Sequence, residues 1–551
     1  IGSDGSAIYA LSESGFLILP VGQVNQNPVA ALDNRILLLG NDQCGVTAGI
    51  RTQKLTVRNE GRGRLTASAI LLQAPVQQQV PGLGGAGGPG GGAPGITIPV
   101  VLQPLVGAAV AGQTQQQTQI TQTAPRVRPR TTPDGTELDF EFNPLAARAT
   151  GTIAPHDFLI QSPESVNVIT SVRVFQNNRD AEARADIIPV QVAISPNEGL
   201  VDIVPDNNRR LLYISNSGMN RIEVFDTRTK RLLAPIKVGQ LPRSISLAPD
   251  GNTLYVGNTG AEYISVVDLD QMSETGKIRF PPLPFNTGLG VINPSVVAAT
   301  QRGLQIVMSN GTLWKTVGDV AVPRTVSPLV GSSTVPAPRT LVSTPNGEYA
   351  LLLDGNGYAL LYDSLVDEFV QRRQVITAPI QGYYGAVGAG PRGNYFLVNG
   401  MVLNQSLTAT ANAGSTLVTV PGRGNQPPQQ FNRPVSAVAA AGTTLFARFI
   451  QPVVANANVL VSEPPTLELV DVNTGQTTRT ASVLEGPLST QVGTQRVNVA
   501  GRALAVDSSG NTAYALTTSG LSIIPLDAPV AANRPQVNRD GVVNIASFVP
   551  G

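Results

Sequence analysis

Apolar and polar residues alternate in two similar segments near the middle of the chain. Residues 205–226 read PDNNRRLLYISNSGMNRIEVFD, and residues 249–268 read PDGNTLYVGNTGAEYISVVD. Each segment has a Pro-Asp turn, an alternating run, a Gly-containing turn, a second alternating run and a closing Asp. Alternation with a period of two predicts strands, and a strand-built repeat of roughly 40–50 residues predicts the blade of a β-propeller.

The same pattern recurs in weaker form along the second half of the chain. A turn signal precedes an apolar run at residues 300–303 (TQRG), 344–347 (TPNG), 390–393 (GPRG), 440–443 (AAGT) and 507–510 (DSSG). With the first two copies this makes seven repeats, although six or eight blades are also compatible with the spacing. The extra length of the last spacing falls in an irregular insertion at 451–465. We therefore predict an all-β chain with a seven-bladed propeller over residues 197–532 and a C-terminal tail over 533–551.

Residues 25–196 carry a different pattern, with short strand candidates separated by turn signals. This pattern predicts an immunoglobulin-like β-sandwich. The candidates are residues 35–41, 52–59, 64–72, 138–142, 157–161, 166–177 and 185–195. A low-complexity insertion at 73–133, rich in Gly, Gln and Pro, interrupts them. It predicts a solvated, disordered loop or, alternatively, a segment held by a packing partner such as another subunit.

The first 24 residues form a half blade that is separated from the propeller. Residues 3–22 (SDGSAIYALSESGFLILPVG) match residues 508–527 (SSGNTAYALTTSGLSIIPLD). Two strands alone are marginally stable, so we expect this pair to find further strands. It could complete the chain's own ring, end an upstream propeller, or donate strands to a neighbouring molecule.

Three stretches resemble known bacterial proteins. LYISNSG…RIEVFDT and TLYVGNTG…ISVVDLD resemble the propeller repeats named for their Tyr-Val-Thr-Asn signature. KLTVRNEGRGRLTASAI (54–70) resembles the immunoglobulin-like domains of surface proteins. GVVNIASFVPG (541–551) resembles the start of a C-terminal domain in secreted proteins of Acidobacteria such as Solibacter. These resemblances imply a secreted or cell-surface protein and supply no catalytic residues.

Composition narrows the functional classes. A net charge of +1 with 14% charged residues argues against a nucleic-acid binder, which would present a basic face. Cys44 is the one cysteine, so an internal disulfide cannot form; it is predicted to be buried, with an intermolecular bridge as the alternative. The longest apolar stretch, 96–111, contains two prolines and is too short for a membrane span. The chain begins at Ile1, and we expect a precursor with an upstream export signal.

The candidate chemistry is sparse. His156 is the one histidine and is predicted to lie in a loop, without forming a triad with Asp157 or Ser162. The aspartates that close the strand motifs are interpreted as turn caps rather than calcium ligands. They are Asp226, Asp268, Asp363 and Asp471.

The remaining motifs give weaker indications of function. Asp202, Asp206 and Asp226 are too far apart in sequence to predict a calcium site. The Gly-rich run 82–95 lacks the features of a phosphate loop. Arg126, Arg128 and Arg130 predict a solvated face or local carboxylate partners, with an acidic polymer as the alternative. Asn310 and Asn404 fit glycan-acceptor sequons. We predict no catalytic, cofactor-binding or metal-binding residue.

The sequence as a whole favours a non-enzymatic extracellular structural protein. We expect it to self-assemble into a filament or surface layer through strand addition and insertion-loop contacts. Its expected partner is itself, with a cell-surface polymer or glycan as a further candidate, and neither nucleic acid nor a membrane span is expected. An adhesin or glycan-binding propeller is the first alternative, and a lactonase-like propeller enzyme is the second.

Overall fold

The described part of the chain consists almost entirely of strands in a computed structural model. The description covers residues 7–12, 15–20, 27–42, 52–72, 123–143, 153–167, 169, 171–179, 185–193, 199–283, 291–325, 334–377, 386–412, 417–420, 427–432, 435–450, 465–487, 491–492, 495–496 and 502–526. Strands are numbered along the chain. The described residues divide into two compact units: an N-terminal hairpin with a two-sheet sandwich, and a propeller.

The propeller contains seven antiparallel blades, as the repeats predict, and in blades 1 to 6 the strands of a blade follow one another in sequence. Blade 1 comprises β12 (Leu200–Asp206), β13 (Leu211–Asn216), β14 (Arg221–Asp226), β15 (Arg231–Leu232) and β16 (Ile236–Lys237). Blade 2 comprises β17 (Pro242–Leu247), β18 (Thr253–Asn258), β19 (Tyr263–Asp268) and β20 (Ser273–Arg279). Blade 3 comprises β21 (Pro294–Thr300), β22 (Gly303–Met308), β23 (Leu313–Val317) and β24 (Val320–Pro323). In blade 1 the outer strand is split into β15 and β16. The outer strands of blades 2 and 3 meet at one parallel bridge, Arg279 to Val320.

Blades 4 to 7 follow the same plan. Blade 4 comprises β25 (Thr340–Ser343), β26 (Tyr349–Leu353), β27 (Tyr358–Asp363) and β28 (Glu368–Gln374), and blade 5 comprises β29 (Val387–Ala389), β30 (Phe396–Val398), β31 (Met401–Leu403) and β32 (Ala409–Asn412). Blade 6 comprises β35 (Val435–Ala441), β36 (Leu445–Ile450), β37 (Thr466–Asp471) and β38 (Thr477–Ser482). Blade 7 comprises β41 (Leu504–Val506), β42 (Thr512–Thr517), β43 (Gly520–Pro525) and β11 (Asp186–Pro189). Two short 3-10 turns lie at Ser217–Met219 and Pro391–Gly393. Separate hairpins are formed by β33 (Leu417–Val420) with β34 (Gln429–Asn432) and by β39 (Gln491–Val492) with β40 (Gln495–Arg496).

The blades close into a ring. The first strand of each blade contacts the first strand of the next, and β12 of blade 1 also contacts β41 of blade 7. Buried aliphatic and aromatic side chains fill the space between successive blades; one such cluster joins Tyr213 and Val224 of blade 1 to Ile245 and Val256 of blade 2. Each blade therefore buries both of its faces, which explains why the repeats are apolar on both sides of their inner strands.

The strand that completes blade 7 corrects the predicted domain boundary. Residues 185–195 were assigned to the sandwich, but β11 pairs with β43 in the last blade. The physical reason is that β43 would otherwise leave an unpaired edge at the point where the ring closes. A strand from before blade 1 therefore joins the two ends of the propeller.

The two strongest repeats lie in adjacent blades, but their Pro-Asp pairs are not equivalent. Ile203 pairs with Ile214 in blade 1 and Ile245 pairs with Val256 in blade 2. Counting from these pairs, the counterpart of Asp206 is Ala248 rather than Asp250. The two Pro-Asp pairs match in sequence, but in blade 2 the pair lies two residues further along the turn than in blade 1.

The sandwich is formed by two four-stranded sheets that share one apolar core. Leu37, Leu55, Phe140, Phe158 and Val174 are among its buried residues. The sheets are β4 (Ile36–Asp42), β10 (Val172–Arg179), β9 (Ile153–Gln161) and β6 (Ser68–Leu71), and β3 (Ala30–Leu32), β5 (Thr52–Asn59), β8 (Gly135–Glu141) and β7 (Arg126–Thr132). The immunoglobulin-like assignment of this sandwich stays a prediction.

Strand β7 corrects the extent of the low-complexity insertion. The sequence placed 126–132 inside the insertion at 73–133, whereas these residues pair with β8 along their whole length. The sequence pattern did not predict this strand because its Arg and Pro residues interrupt the expected alternation of apolar and polar residues. Residues 73–122 lie outside the described part, as do Cys44, the Gly-rich run 82–95, the stretch 96–111, most of the insertion at 451–465 and the tail 533–551.

Strands β1 (Ala7–Ser12) and β2 (Gly15–Pro20) form an antiparallel hairpin at the start of the chain. Ala7 pairs with Pro20 and Ser12 pairs with Gly15. Among the described residues this hairpin is a two-stranded sheet of its own. No helix in the described ranges has the length and apolar character that a membrane crossing requires.

Candidate functional site

Bulges near the start of the inner strands re-aim polar side chains around the centre of the propeller. The ladder shifts in four inner strands: between Leu200 and Ile203, Pro242 and Ile245, Pro294 and Val296, and Val435 and Ala437. A bulge leaves residues unpaired and turns their side chains. In blade 1 the residue set free in this way is Asp202, which is 1% exposed.

Asp202 and Arg502 form a buried clamp across three blades. The guanidinium donates from Nε to Oδ1 at 3.0 Å and from Nη2 to Oδ2 at 2.9 Å, and the backbone N–H of Arg502 donates to Oδ1 at 2.7 Å. The N–H of Ile245 in blade 2 donates to Oδ2 at 2.9 Å. A buried carboxylate is tolerated when its oxygens are matched in this way. The clamp joins blade 7 to blades 1 and 2 at the closing point.

Serine hydroxyls form further hydrogen bonds between strands of neighbouring blades. Ser215 donates to the carbonyl of Arg243 in the next blade at 2.6 Å. Ser244 accepts from the N–H of Val297 at 3.0 Å, and Ser246 accepts from the N–H of Ala299 at 2.9 Å. Each hydroxyl therefore links one blade to the first strand of the next blade. These side chains serve ring assembly.

The four aspartates that close the third strand of a blade are turn caps, as predicted. Each Oδ1 accepts backbone N–H bonds from residues two or three positions later. Hydrogen bonds from Thr229 hold the pKa of Asp226 below its usual range, and those from Thr474 do the same for Asp471. The residues are Asp226, Asp268, Asp363 and Asp471.

The junction between blades 1 and 2 is bridged by Arg209. Its guanidinium donates to the carbonyl of Gly251 at 2.5 Å, to Oδ1 of Asn252 at 3.1 Å and to Asp270. It also pairs with the buried carboxylate of Asp206 in its own blade. The Arg209 side chain, from the first turn of blade 1, thus contacts both the first and the third turn of blade 2.

The junction between blades 7 and 1 is an open cleft of about 240 Å³. Its walls carry hydroxyls, an amide, two carboxylates and one guanidinium. They are formed by Pro205, Asp206, Asn207, Arg210, Leu211, Leu212, Thr227, Asp507, Ser508 and Tyr514. The Tyr514 ring meets Phe225 edge-on at 6.2 Å and so holds the floor of the cleft. Burial and the Asp507 carboxylate raise the pKa of the Tyr514 hydroxyl.

A third cationic site lies between blades 3 and 4. The Arg324 guanidinium, 4% exposed, pairs with Asp367 and lies over the Tyr362 ring at 5.0 Å. Lys315 donates to the other oxygen of Asp367 at 2.7 Å. Burial alone would raise the pKa of Asp367, but the bonds from Lys315 and Tyr362 and the charge of Arg324 outweigh it and lower the pKa. Sequence patterns gave no signal for this cluster, because its members come from separate repeats.

The aspartates considered for calcium do not converge. Asp202 is held by Arg502, Asp206 is paired with Arg209, and Asp226 caps its turn. Among the described residues there is no cluster of three His, Cys, Asp or Glu side chains suited to a metal ion.

His156 lies in strand β9, which corrects its assignment to a loop. The imidazole is 5% exposed, with Nδ1 3.4 Å from Gln176 and Nε2 3.4 Å from the hydroxyl of Thr123. Its neighbour Asp157 forms a two-point ion pair with Arg173 at 2.7 and 3.1 Å. Successive strand residues point to opposite faces, so the side chains of His156 and Asp157 lie on opposite faces of the sheet.

The arginines of β7 face an acidic row on β8. Arg126, Arg128 and Arg130 stand opposite Glu141, Asp139 and Glu137. Ion pairs join Arg128 to Glu141 at 3.1 Å and Arg130 to Glu137. Local carboxylate partners, one of the two predicted roles, are therefore present. The hydrogen bonds of Arg130 and Lys54 lower the pKa of Glu137.

The sequon asparagines shape turns. Asn310 Oδ1 accepts from the N–H and hydroxyl of Thr312 at 3.1 and 2.8 Å. Asn404 Oδ1 accepts from the N–H groups of Ser406 and Thr408, both at 3.0 Å. These bonds account for both residues as turn formers.

The comparisons with known proteins agree with the propeller fold. Residues 164–288 match the family described as "Lactonase, 7-bladed beta-propeller", a stretch that reaches from the sandwich through blade 2 and covers less than half of the chain. Antigen Lp49 of Leptospira interrogans serogroup Icterohaemorrhagiae serovar copenhageni is 36% identical over 61 residues, which is 11% of this chain and 13% of that protein.

Solved structures give broader likenesses. The Cps50 (Swd1) β-propeller domain of Myceliophteria thermophila covers 62% of this chain and 100% of its own, with 11% identity and a TM-score of 0.40. The RRP9 WD40 repeats give 14% identity, the same coverages and a TM-score of 0.40. Hydrazine synthase of Kuenenia stuttgartiensis gives 16% identity over 62% of this chain and 81% of its own, with a TM-score of 0.30. The chain is a β-propeller protein whose first two blades resemble those of the lactonase-type propellers.

Proposed function

We propose that this protein is a non-enzymatic extracellular structural protein that self-assembles into a filament or surface layer. The hairpin of β1 and β2 carries the proposal. Its sequence resembles that of the two central strands of blade 7, yet among the described residues it pairs with nothing else. We expect the insertion at 73–133 to add contacts between subunits.

The comparison with blade 7 identifies what the hairpin lacks. There β42 pairs with β41 on one side and β43 pairs with β11 on the other. Every residue from Ala513 to Thr517 is buried. In the hairpin, Ile8 corresponds to Ala513, and Ile8 is 39% exposed whereas Ala513 is fully buried. Among the described residues the two outer edges of this hairpin are unpaired, and two strands alone are marginally stable in water.

Strands from a second copy would satisfy both edges. Strand addition supplies main-chain hydrogen bonds, and a head-to-tail contact that does not close on itself extends into a fibre. The propeller then acts as a rigid building block. Low charge and a polar, Gly- and Gln-rich composition suit a protein that packs against copies of itself.

Removal of the hairpin tests the proposal. We expect the full chain to sediment as large assemblies and to form filaments or sheets in negative-stain images. A variant lacking residues 1–22 is expected to remain monomeric, with unchanged Trp314 fluorescence from its intact propeller. A matched variant with polar substitutions at the exposed Leu365 and Val366 should assemble like the wild type. Equal assembly by the deletion variant would refute the role of the hairpin.

A lactonase-like enzyme is the second candidate, and the family match over residues 164–288 favours it. Within that stretch the buried carboxylate of the first inner strand, Asp202, is held by Arg502. Turnover of a lactone by purified protein, abolished by Asp202→Asn with the ring still folded, would support this candidate against the structural role.

A further inference from the structure

The cleft between blades 7 and 1 differs from the junction between blades 1 and 2 in a systematic way. Leu504 pairs with Ala515 in blade 7 as Ile203 pairs with Ile214 in blade 1. Counting from these pairs, Asp507 corresponds to Asp206, and Gly510 corresponds to Arg209. The side chain that bridges blades 1 and 2 therefore has no counterpart where blade 7 meets blade 1.

The acceptors of that bridge are also replaced. Thr253 pairs with Asp268 in blade 2 as Leu211 pairs with Asp226 in blade 1. Arg210 thus occupies the position of Asn252, and Arg228 occupies the position of Asp270. A bridging cation is lost from the blade 7 wall of the junction, and on the blade 1 wall Arg210 lines an open cleft.

The charged groups of the cleft differ in how far the protein already satisfies them. The Asp206 carboxylate accepts from Arg209 and from the hydroxyl of Tyr213. The Asp507 carboxylate accepts from Ser509 and from the N–H of Asn511. Within the described ranges the exposed guanidinium of Arg210 makes no ion pair. A ligand's negative group would gain most from Arg210.

The remaining lining suits a polyhydroxylated molecule. Ser508, Thr227 and Asn207 offer hydroxyl and amide groups, and Asp507 offers carboxylate oxygens that accept from hydroxyls. At about 240 Å³ the cleft is smaller than the roughly 300–1,000 Å³ of sites for larger ligands. It has room for one sugar ring.

We propose that this cleft binds one saccharide unit bearing a carboxylate, a uronic acid, with the carboxylate on Arg210 and the hydroxyls on the polar walls. The site is independent of the hairpin and of assembly. It adds a recognition function for an acidic glycan to the structural role proposed above.

The test is calorimetric titration of the full chain with sodium glucuronate, with glucose and acetate as probes that carry only the hydroxyls or only the carboxylate. We expect saturable binding of glucuronate, weaker binding of both controls, and an affinity that falls as salt is raised. Arg210→Gln should lower the glucuronate affinity at least about tenfold, and Arg210→Lys should lose less.

Arg392→Gln is the matched control. Arg392 is also an exposed arginine with a positive φ, 56° against 58° for Arg210, in the corresponding turn of blade 5. This variant should bind as the wild type does, and the fluorescence of Trp314 checks that each variant is folded. Absence of glucuronate binding by the wild type, equal affinity for glucose or acetate, or an unchanged affinity in Arg210→Gln would overturn the proposal.

Discussion

At the scale of single residues, the ring is held where its two ends meet by one ion pair. Asp202 is 1% exposed and Arg502 is 22% exposed at the side chain, so water screens their interaction poorly. Removing the Arg502 side chain leaves the buried Asp202 carboxylate without its countercharge. We expect Arg502→Ala to lower the free energy of unfolding of the propeller by about 3–5 kcal/mol.

Urea denaturation followed by the fluorescence of Trp314, the one tryptophan, measures this change. Trp314 lies in blade 3, away from the substitution, and therefore reports on the ring as a whole. Lys230→Ala removes an ion pair of the propeller whose lysine is 58% exposed, and it should change the unfolding midpoint far less. Equal effects of the two substitutions would contradict the clamp.

Asp367 gives a pH-dependent prediction at the same scale. Its folded-state pKa is lowered, so its contribution to stability is complete above its unfolded pKa of about 3.9 and is lost as the pH falls through the folded value. Asp367→Asn should be less stable than the wild type at pH 6, and the difference should shrink below about pH 4. Urea midpoints between pH 6 and pH 2.5 measure it; a constant difference would contradict the ion-pair network.

At the scale of elements, β11 closes blade 7 from a distant part of the sequence. Adjacent amides in a strand point in opposite directions, so one of Ile187 and Ile188 directs its N–H to β43. Replacing both with proline removes that bond whichever residue makes it. We expect faster amide exchange in β41 to β43 and a lower unfolding midpoint for the whole propeller.

The matched control places two prolines, at Arg372 and Arg373, in the exposed outer strand β28 of blade 4. These should accelerate exchange in the outer half of blade 4 and leave blade 7 protected. If the β11 variant affects only its own strand, closure by β11 does not hold the ring together.

The strands also show which parts of the fold can be predicted from the sequence and which cannot. Alternation in LLYISN and TLYVGN, with a turn before each, was enough to predict strands, repeats and seven blades, because these signals are local. Strand β11 has four residues and no turn signal, and its partner lies at the other end of the propeller. The Asp202–Arg502 clamp and the cleft at Arg210 likewise depend on which distant residues the closed ring brings together. His156 was misassigned because Pro155, His156 and Asp157 interrupt the alternation of apolar and polar residues at the start of β9.

At the scale of the whole molecule, we propose that the propeller is a closed building block and that the N-terminal hairpin connects it to other copies. Among the described residues every blade of the ring has its own outer strand, and β1 and β2 complete none of them. Assembly through the hairpin should therefore leave the blades unchanged and should depend on protein concentration.

Hydrogen exchange of the intact chain at two concentrations tests this central claim most directly. Above the assembly concentration, we predict slow exchange of the amides in residues 7–20, because strands from another copy pair with both edges of the hairpin. After dilution the same amides should exchange rapidly, while those of β12 to β14 keep their protection. Hairpin protection that is the same at both concentrations would contradict assembly by strand addition.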